Sequence, residues 1–295
     1  METSDGNRKV AVSGATGFIG GRLTEHLVAA GWQVVPLGRG LLAAGAEERL
    51  AQALAGCGAV VNLAGAPIDR RWTRAYRKQL YDSRVGVTRR LVAAINAQSG
   101  LPRVLVSASA AGYYPETGCY SEYDQAQGAG FLAGLCGAWE HEARQVDPRV
   151  RLAVTRFGVV LAPRGGAFRR MTLPMRLGVA ARIGSGRQPM AWIDREDLVR
   201  VLGRVLEDDG LSGVVNCVAP QRIDNAEFTR IAGRYYHDAV RIPIPVWAMR
   251  VVFGEMAGVL TGGQCVVPAK LQEAGFAYRS PDIGAFLERL KEGPK

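Results

Sequence analysis

Residues 10–31 read VAVSGATGFIGGRLTEHLVAAG, and this stretch decides the fold. Val10-Ala11-Val12 is a short apolar run of the kind a buried strand shows. The run breaks at Gly14-Ala15-Thr16-Gly17-Phe18-Ile19-Gly20. Ile19, Leu23, Leu27 and Val28 then recur at helical spacing, and Gly31 stands where a helix would end. A strand, a glycine turn and a helix in that order form a dinucleotide-binding unit. Gly14 permits the tight turn, Gly17 lets backbone approach a pyrophosphate, and Gly20 lets helix and strand pack closely. The free N–H groups at the helix N-terminus then face the phosphates.

Working outward, Gln33-Val34-Val35-Pro36-Leu37 is the next strand, followed by Gly38-Arg39. A carboxylate at this strand end would hold the 2′-hydroxyl of NAD. Here there is none, and the Arg39 guanidinium is available to a 2′-phosphate, which predicts NADP(H). Residues 41–56 are short for a helix plus a further strand. The next strand ends in Asn62-Leu63-Ala64-Gly65, small residues that let backbone approach a cofactor. A basic segment runs from Arg70 to Arg90, and within it Arg84 is the residue expected to point inward. Val104-Leu105-Val106 ends in Ser107-Ala108-Ser109-Ala110-Ala111-Gly112-Tyr113-Tyr114, a cluster of hydroxyls at a strand's carboxyl end, where doubly wound sheets bind ligands. A helix is expected from about Phe131 to Gln145, a strand at 152–156, a helix over 193–206 and a strand at 214–218. The segments 162–170 and 177–192 read as mobile substrate-side stretches.

The chain has 295 residues, 48% of them hydrophobic, with 37 Lys and Arg against 27 acids and a net charge of +10. That balance suits an anionic ligand. The basic residues are scattered rather than gathered in an aromatic-interleaved stripe, which argues against nucleic acid. Five cysteines, dispersed and without a Cys-x-x-Cys pair, predict five reduced thiols and a cytoplasmic setting. Three dispersed histidines predict no metal site. No long uncharged apolar run and no signal-peptide core are present, so no membrane partner is expected.

SGATGFIG, VVNLAG, VSASAAGYY, TRFGVVL and AWIDREDLV, in that order, resemble the extended short-chain dehydrogenase/reductase superfamily. The finer resemblance is to its atypical branch, the epimerase family protein group of the short-chain dehydrogenase family 39U type, often described as NAD-dependent epimerase/dehydratase-like. It rests on Arg71-Trp72, Ser83-Arg84, Gly112-Tyr113-Tyr114, Trp139-Glu140, Gly184 to Gln188, Trp192-Ile193 and a C-terminal set from Gly254-Glu255 to Phe276. The resemblance implies an α/β Rossmann fold, a doubly wound parallel sheet over 8–222, with a small C-terminal substrate lobe over 223–295 and an insertion at 163–192 on the substrate side.

By position it implies a cofactor set for NADP of Gly14, Thr16, Gly17, Phe18, Ile19, Gly20, Gly38, Arg39, Leu63, Ala64, Gly65, Gln79, Arg84, Ser107 and the backbone near Val159. Arg84 takes the place of an asparagine usual in the superfamily. The short 41–56 segment implies a reduced adenine pocket. Typical members pair a serine with Tyr-x-x-x-Lys, the lysine lowering the tyrosine pKa for proton exchange. Ser109 matches the serine, but Leu132 and Cys136 fall at the Tyr and Lys positions. Catalysis would then fall to Ser109 with Tyr113 or Tyr114, although a packing role suits either tyrosine. Asp194 and Asp197 match a motif that caps and orients the following helix. The expected activity is an NADP(H)-dependent oxidoreductase or epimerase acting on a small carbonyl or sugar-type molecule. The alternative is a nucleotide sensor that has lost the chemistry. Monomer and homodimer both remain open.

Overall fold

The computed structural model describes residues 7–291. Strand β1 (Lys9–Ser13) leads through the glycine turn into helix α1 (Gly20–Ala29), which buries Leu23 and Leu27. Gly31, at φ 83°, ends it. Val28 lies outside the packed face at 58% exposure, so the buried stripe is narrower than the spacing predicted.

Strand β2 (Gln33–Leu37), helix α2 (Glu47–Leu54) and strand β3 (Ala59–Asn62) follow. The short 41–56 segment thus holds one eight-residue helix, anchored by Leu50 and Leu54, and no strand. Helix α3 (Arg74–Tyr81) runs through a single wide π-type turn at Asp82–Gly86 into helix α4 (Val87–Asn96). Next come β4 (Val104–Ala110), β5 (Cys119–Tyr120), α5 (Gly130–Ala143), β6 (Arg151–Phe157) and β7 (Val159–Leu161).

The stretches read as mobile and substrate-side, together with the residues between them, contain regular elements. These are α6 (Gly166–Arg176), β8 (Val179–Ile183) and β9 (Trp192–Asp194). Phe168, Thr172 and Met175 give α6 a buried face at helical spacing, which outweighs the Pro174 that hides it in the sequence. The chain closes with α7 (Arg195–Glu207), β10 (Gly213–Cys217), α8 (Asn225–Tyr235), β11 (Val240–Ile244), α9 (Val246–Phe253), α10 (Ala257–Thr261), β12 (Cys265–Val266), α11 (Ala269–Glu273) and α12 (Ile283–Lys291).

Six strands form one parallel sheet in the order β10-β6-β4-β3-β1-β2. Side chains on a strand alternate between faces. Val10 and Val12 therefore pack with Leu23, Leu27, Leu198 and Leu202 on one side. Ala11 packs with Leu50, Leu54, Leu91 and Ile95 on the other. Both faces are covered, which is why these strands are continuously apolar in sequence. This is the doubly wound Rossmann architecture. The order departs from the common one, since among the described residues no strand lies outside β2. Successive strands are added to one side at β2 and to the other from β3 onward, and such a switch point between β1 and β3 is where these sheets bind ligands, outside the strands' carboxyl ends.

A third cluster joins the 163–192 insertion to the C-terminal region. Phe168, Met175 and Ala180 pack there with Trp192, Phe228, Phe286 and Leu287. Asp194 caps α7 at the Glu196 N–H and accepts from Ser280 Oγ, and Asp197 accepts from the backbone N–H of Arg279 and Ser280. The two aspartates therefore orient the helix and tie it to the last segment, as their motif implies.

The thiol expectation needs correction. Cys57, Cys136 and Cys217 are free and buried, but Cys119 and Cys265 form a disulfide. They are 146 residues apart, and they meet because β5 and β12 pair in register with these two residues opposed, Cα atoms 4.5 Å apart. Spacing along the chain carries no trace of that meeting, and the argument from five free thiols to a cytoplasmic setting falls with it.

Candidate functional site

A cavity of about 320 Å³ opens at the switch point, and four elements build it. The glycine turn is the first. Gly14 sits at φ 71°, a conformation side chains rarely adopt. A Cβ on Gly20 would lie 2.1 Å from the Gly14 carbonyl oxygen, so only glycine lets α1 start this close to the strand. Gly14, Gly17, Phe18, Ile19 and Gly20 all line the cavity, and Thr16 stays exposed on the turn.

The segment after β3 is the second wall. Ser13 Oγ, wholly buried, donates to Asn62 Oδ1 at 2.7 Å and accepts from the Leu63 and Ala64 N–H groups at 3.0 and 3.1 Å. Asn62 Nδ2 donates to Thr88 Oγ1, which also receives the Trp139 indole N–H. This buried polar chain fixes Leu63, Ala64 and Gly65 against the glycine turn, and every member is satisfied, as burial requires.

The third wall comes from the π-type turn, which rotates Arg84 inward. Its Nη2 donates to the Ala66 carbonyl at 3.0 Å, and its guanidinium lies over the Trp139 ring at 5.4 Å. Gly65 makes room, because a Cβ there would come within 3.0 Å of Arg84 Cζ. Burial lowers the Arg84 pKa, and among the described residues no carboxylate pairs with it.

The last wall is the end of β4 with α5: Ala108, Ser109 and Ala110 face Leu132, Leu135, Cys136 and Trp139. Ser109 Oγ donates to Glu140 Oε1 at 2.7 Å. Glu140, 1% exposed, takes both ends of the Arg156 guanidinium at 2.8 Å and Arg144 at 2.9 Å. Burial would raise its pKa, but these cations and Ser109 hold it below the usual carboxylate value. Burial pushes the Cys136 thiol up to about 12, so it stays protonated. Leu132 and Cys136, read as the Tyr and Lys positions, both face this cavity.

Several expected residues lie elsewhere. The Tyr114 hydroxyl is buried, within reach of the Ser121 carbonyl and Asn216 Oδ1 at 2.9 and 3.0 Å. Tyr113 lies under the Arg156 guanidinium, 3.5 Å from its ring centroid. Neither tyrosine lines the cavity with Ser109, because the chain turns away from the sheet after Ala110. Gln79 is exposed on α3 and Ser107 is buried without a side-chain partner. Val159 is half-buried, its neighbours Gly158 and Val160 reaching the cavity instead. Gly38 and Arg39 are exposed at the carboxyl end of β2, next to β1.

Glu140 and Arg156 were not expected at the site. A signal existed: a glutamate one helical turn after Cys136 on an otherwise apolar face, and an arginine near the end of a buried strand, each demand a buried partner. A second cavity of about 860 Å³ lies beyond Leu132, which lines both, and is walled by Trp72, Arg77, Glu116, Phe131, Arg250 and Gln264 among others. Among the described residues no cluster of His, Cys, Asp and Glu suits a metal, and no helix is long and apolar enough to cross a membrane.

A glycine turn, a β1/β3 switch point and a strand-end serine on one parallel sheet define a Rossmann protein of the extended short-chain dehydrogenase/reductase kind. The chain belongs to the NAD dependent epimerase/dehydratase family, whose model matches residues 10–217, and a domain of unknown function, DUF1731, matches residues 244–290. It is 41% identical over 295 residues to an epimerase family protein of Mycobacterium bovis, spanning 95% of this chain and 97% of that one. It is 37% identical over 291 residues to the human epimerase family protein SDR39U1, spanning 96% and 99%. The crystal structure of human SDR39U1 isoform 2 with NADPH superposes with a TM-score of 0.88 at 36% identity, covering 97% of this chain and 100% of that one.

Proposed function

We propose that this chain is an NADP(H)-binding oxidoreductase or nucleoside-diphosphate-sugar-epimerase-like enzyme acting on a small carbonyl or sugar-type substrate. The observation that carries the proposal is one cavity lined at once by the glycine turn and by Ser109. The fit to a dinucleotide rests on the Gly14–Gly20 turn, where a Cβ on Gly20 would strike the Gly14 carbonyl, and on the uncapped N-terminus of α1 that begins there. The human relative solved with NADPH supports the same reading.

Gly14, Gly17, Ile19 and Gly20 would hold the pyrophosphate, and Leu63 and Ala64 would follow the chain of the cofactor with backbone. Arg39, exposed and with no acid at position 38, would take the 2′-phosphate. When bound, the nicotinamide supplies hydride transfer. Ser109 donates its proton to ionised Glu140, so its oxygen offers lone pairs to the cavity and would accept a hydrogen bond from the hydroxyl form of the substrate, the alcohol that corresponds to the carbonyl. Proton exchange by Tyr113 or Tyr114 has no support in the geometry.

A second reading, a sensor without chemistry, is favoured by Leu132 and a protonated Cys136 where an acid–base pair would be needed. The test is NADPH binding by fluorescence, followed by a carbonyl-substrate screen. Turnover that falls about 10²–10⁴-fold in Ser109→Ala supports the enzyme. Micromolar NADPH binding with no turnover across a broad screen supports the sensor, and no NADPH binding sinks both.

A further inference from the structure

Eleven large hydrophobic side chains are exposed among the described residues, and seven of them fall in two segments that pack together. Leu173 and Leu177 lie on and just past α6, Val240 and Ile242 on β11, and Trp247, Val251 and Val252 on α9. Leu177 and Trp247 are 79% and 70% exposed. Scattered singly, such residues would need no explanation, but gathered in this way they mark a contact surface.

The register of the small β8–β11 sheet accounts for the face. Val240, Ile242 and Ile244 stand opposite Val179, Ala181 and Ile183, so all six point to one side. Ala180, on the other side, is fully buried in the cluster with Phe168 and Phe228. The outward side is apolar as well, and parallel sheets are ordinarily covered on both faces. Leu177 extends it, because the neighbouring Gly178 carbonyl accepts from the Val240 N–H at 3.0 Å. Trp247 and Val251, four residues apart on α9, share a helix face just beyond β11.

Charge and backbone choose the occupant. Residues 166–184 and 239–253 hold six arginines and no aspartate or glutamate. Arg170 pairs with Asp69 and Arg241 with Asp238, whereas Arg169, Arg176, Arg182 and Arg250 are exposed and form no salt bridge among the described residues. A second copy seated on this face would press like charges together. A peptide strand added to β11 is hindered at Pro243, which has no N–H to give at the outer edge, the Val240 N–H and Ile244 carbonyl being turned to β8 and its end. A tryptophan and aliphatic side chains interspersed with unpaired arginines instead match the boundary of an anionic bilayer. There an indole sits at headgroup level and a guanidinium meets phosphate.

We propose that this face docks the protein reversibly on a membrane surface containing anionic phospholipid. Leu177, Ile242, Trp247 and Val251 enter the headgroup region, and Arg176, Arg182 and Arg250 meet lipid phosphates. Such attachment lies in the interface plane and needs no spanning helix. It stands independently of the cofactor reading. Arg250 also lines the second cavity, so docking brings that cavity close to the bilayer.

The test is flotation of the full-length protein with vesicles of phosphatidylcholine alone, and of phosphatidylcholine with about 30% phosphatidylglycerol. Binding is expected to the anionic vesicles only, and it should weaken as salt rises. Trp247→Ser with Leu177→Ser should lower the partition coefficient about tenfold or more. Arg176→Gln with Arg182→Gln should lower it roughly 30-fold, whereas a control pair on other elements, Arg49→Gln with Arg74→Gln, should change it little. All of these side chains are exposed, so Tm should stay within about 2 °C of wild type. Val251→Ser alone gives a second apolar variant should the first pair fold poorly.

No binding to either vesicle, equal binding to both, or a control pair as damaging as Arg176→Gln with Arg182→Gln overturns the proposal. So does binding that survives both Trp247→Ser with Leu177→Ser and Val251→Ser, which would reduce it to the general attraction of a chain with net charge +10. A dimer in sedimentation that Trp247→Ser dissociates, without vesicle binding, would give the face to a second copy instead.

Discussion

Glu140 is a carboxylate set in a wall of hydrocarbon, and its ionisation is held by Arg156, Arg144 and the Ser109 hydroxyl. Removing one partner of a buried ion pair leaves the other uncompensated, at a cost of about 3–5 kcal/mol. Glu140→Gln should therefore lose stability on that order, measured by urea unfolding at neutral pH. The pH dependence follows from the direction of the shift. A folded-state pKa below the unfolded one contributes stability above the unfolded value, near 4.3, that is lost as pH falls through the folded one. The wild-type advantage over Glu140→Gln should shrink below about pH 4.3, and an advantage constant from pH 7 to pH 3 would contradict the pairing. Arg39 is the opposite case, an exposed guanidinium whose proposed partner is a ligand. NADPH should bind more tightly than NADH, and Arg39→Ala should remove most of a difference of roughly 10- to 150-fold, as a charge-assisted hydrogen bond is worth. Equal affinities in the wild type, by fluorescence titration, would sink this assignment.

Among the elements, the β5–β12 pair shows where legibility stops. The strand-turn-helix unit at 10–31 was readable because its signals are local: apolar period, glycine positions, a helix stop. The same holds for α5, α7 and β10, found within a few residues of their expected places. Helix α6 was missed because Gly165, Gly166 and Pro174 mimic a loop, and only its packing on Phe286 and Trp192 reveals its buried face. The site was half legible. Gly14–Gly20, Leu63–Gly65 and Ser109 lie where a β-strand or glycine turn must put them and Arg84 where the π-type turn aims it, whereas Glu140 and Arg156 meet Ser109 only through tertiary contact. Cys119 and Cys265 are the extreme of that case. Denatured protein should give three thiol equivalents before reduction and five after it. A count of five without reductant would exclude the disulfide. Cross-linking so long a loop contributes about 2–4 kcal/mol in typical cases, so reduction should lower Tm, by about 2–4 °C for each kcal/mol in a chain of this size.

At the scale of the whole molecule, a net charge of +10 surrounds a site proposed to take a polyanion. A ligand that binds only the folded state stabilises it by RT ln(1 + [L]/Kd), about 2.7 kcal/mol at a hundred times Kd. NADPH at that concentration should raise Tm by roughly 5–10 °C. NADH at equal concentration should raise it less, since it lacks the 2′-phosphate that Arg39 is proposed to take. That difference belongs to an exposed charge, and the Debye length shrinks from about 10 Å at 0.1 M salt to about 3 Å at 1 M. The gap between the two cofactors should therefore narrow with salt in the wild type and be small at every salt concentration in Arg39→Ala. The glycine-turn contribution comes from backbone amides at a helix N-terminus in a partly enclosed cavity, where screening is weaker, so some NADPH stabilisation should persist at 1 M. A cofactor gap that ignores salt would mean that burial, and not Arg39, sets the preference for NADPH.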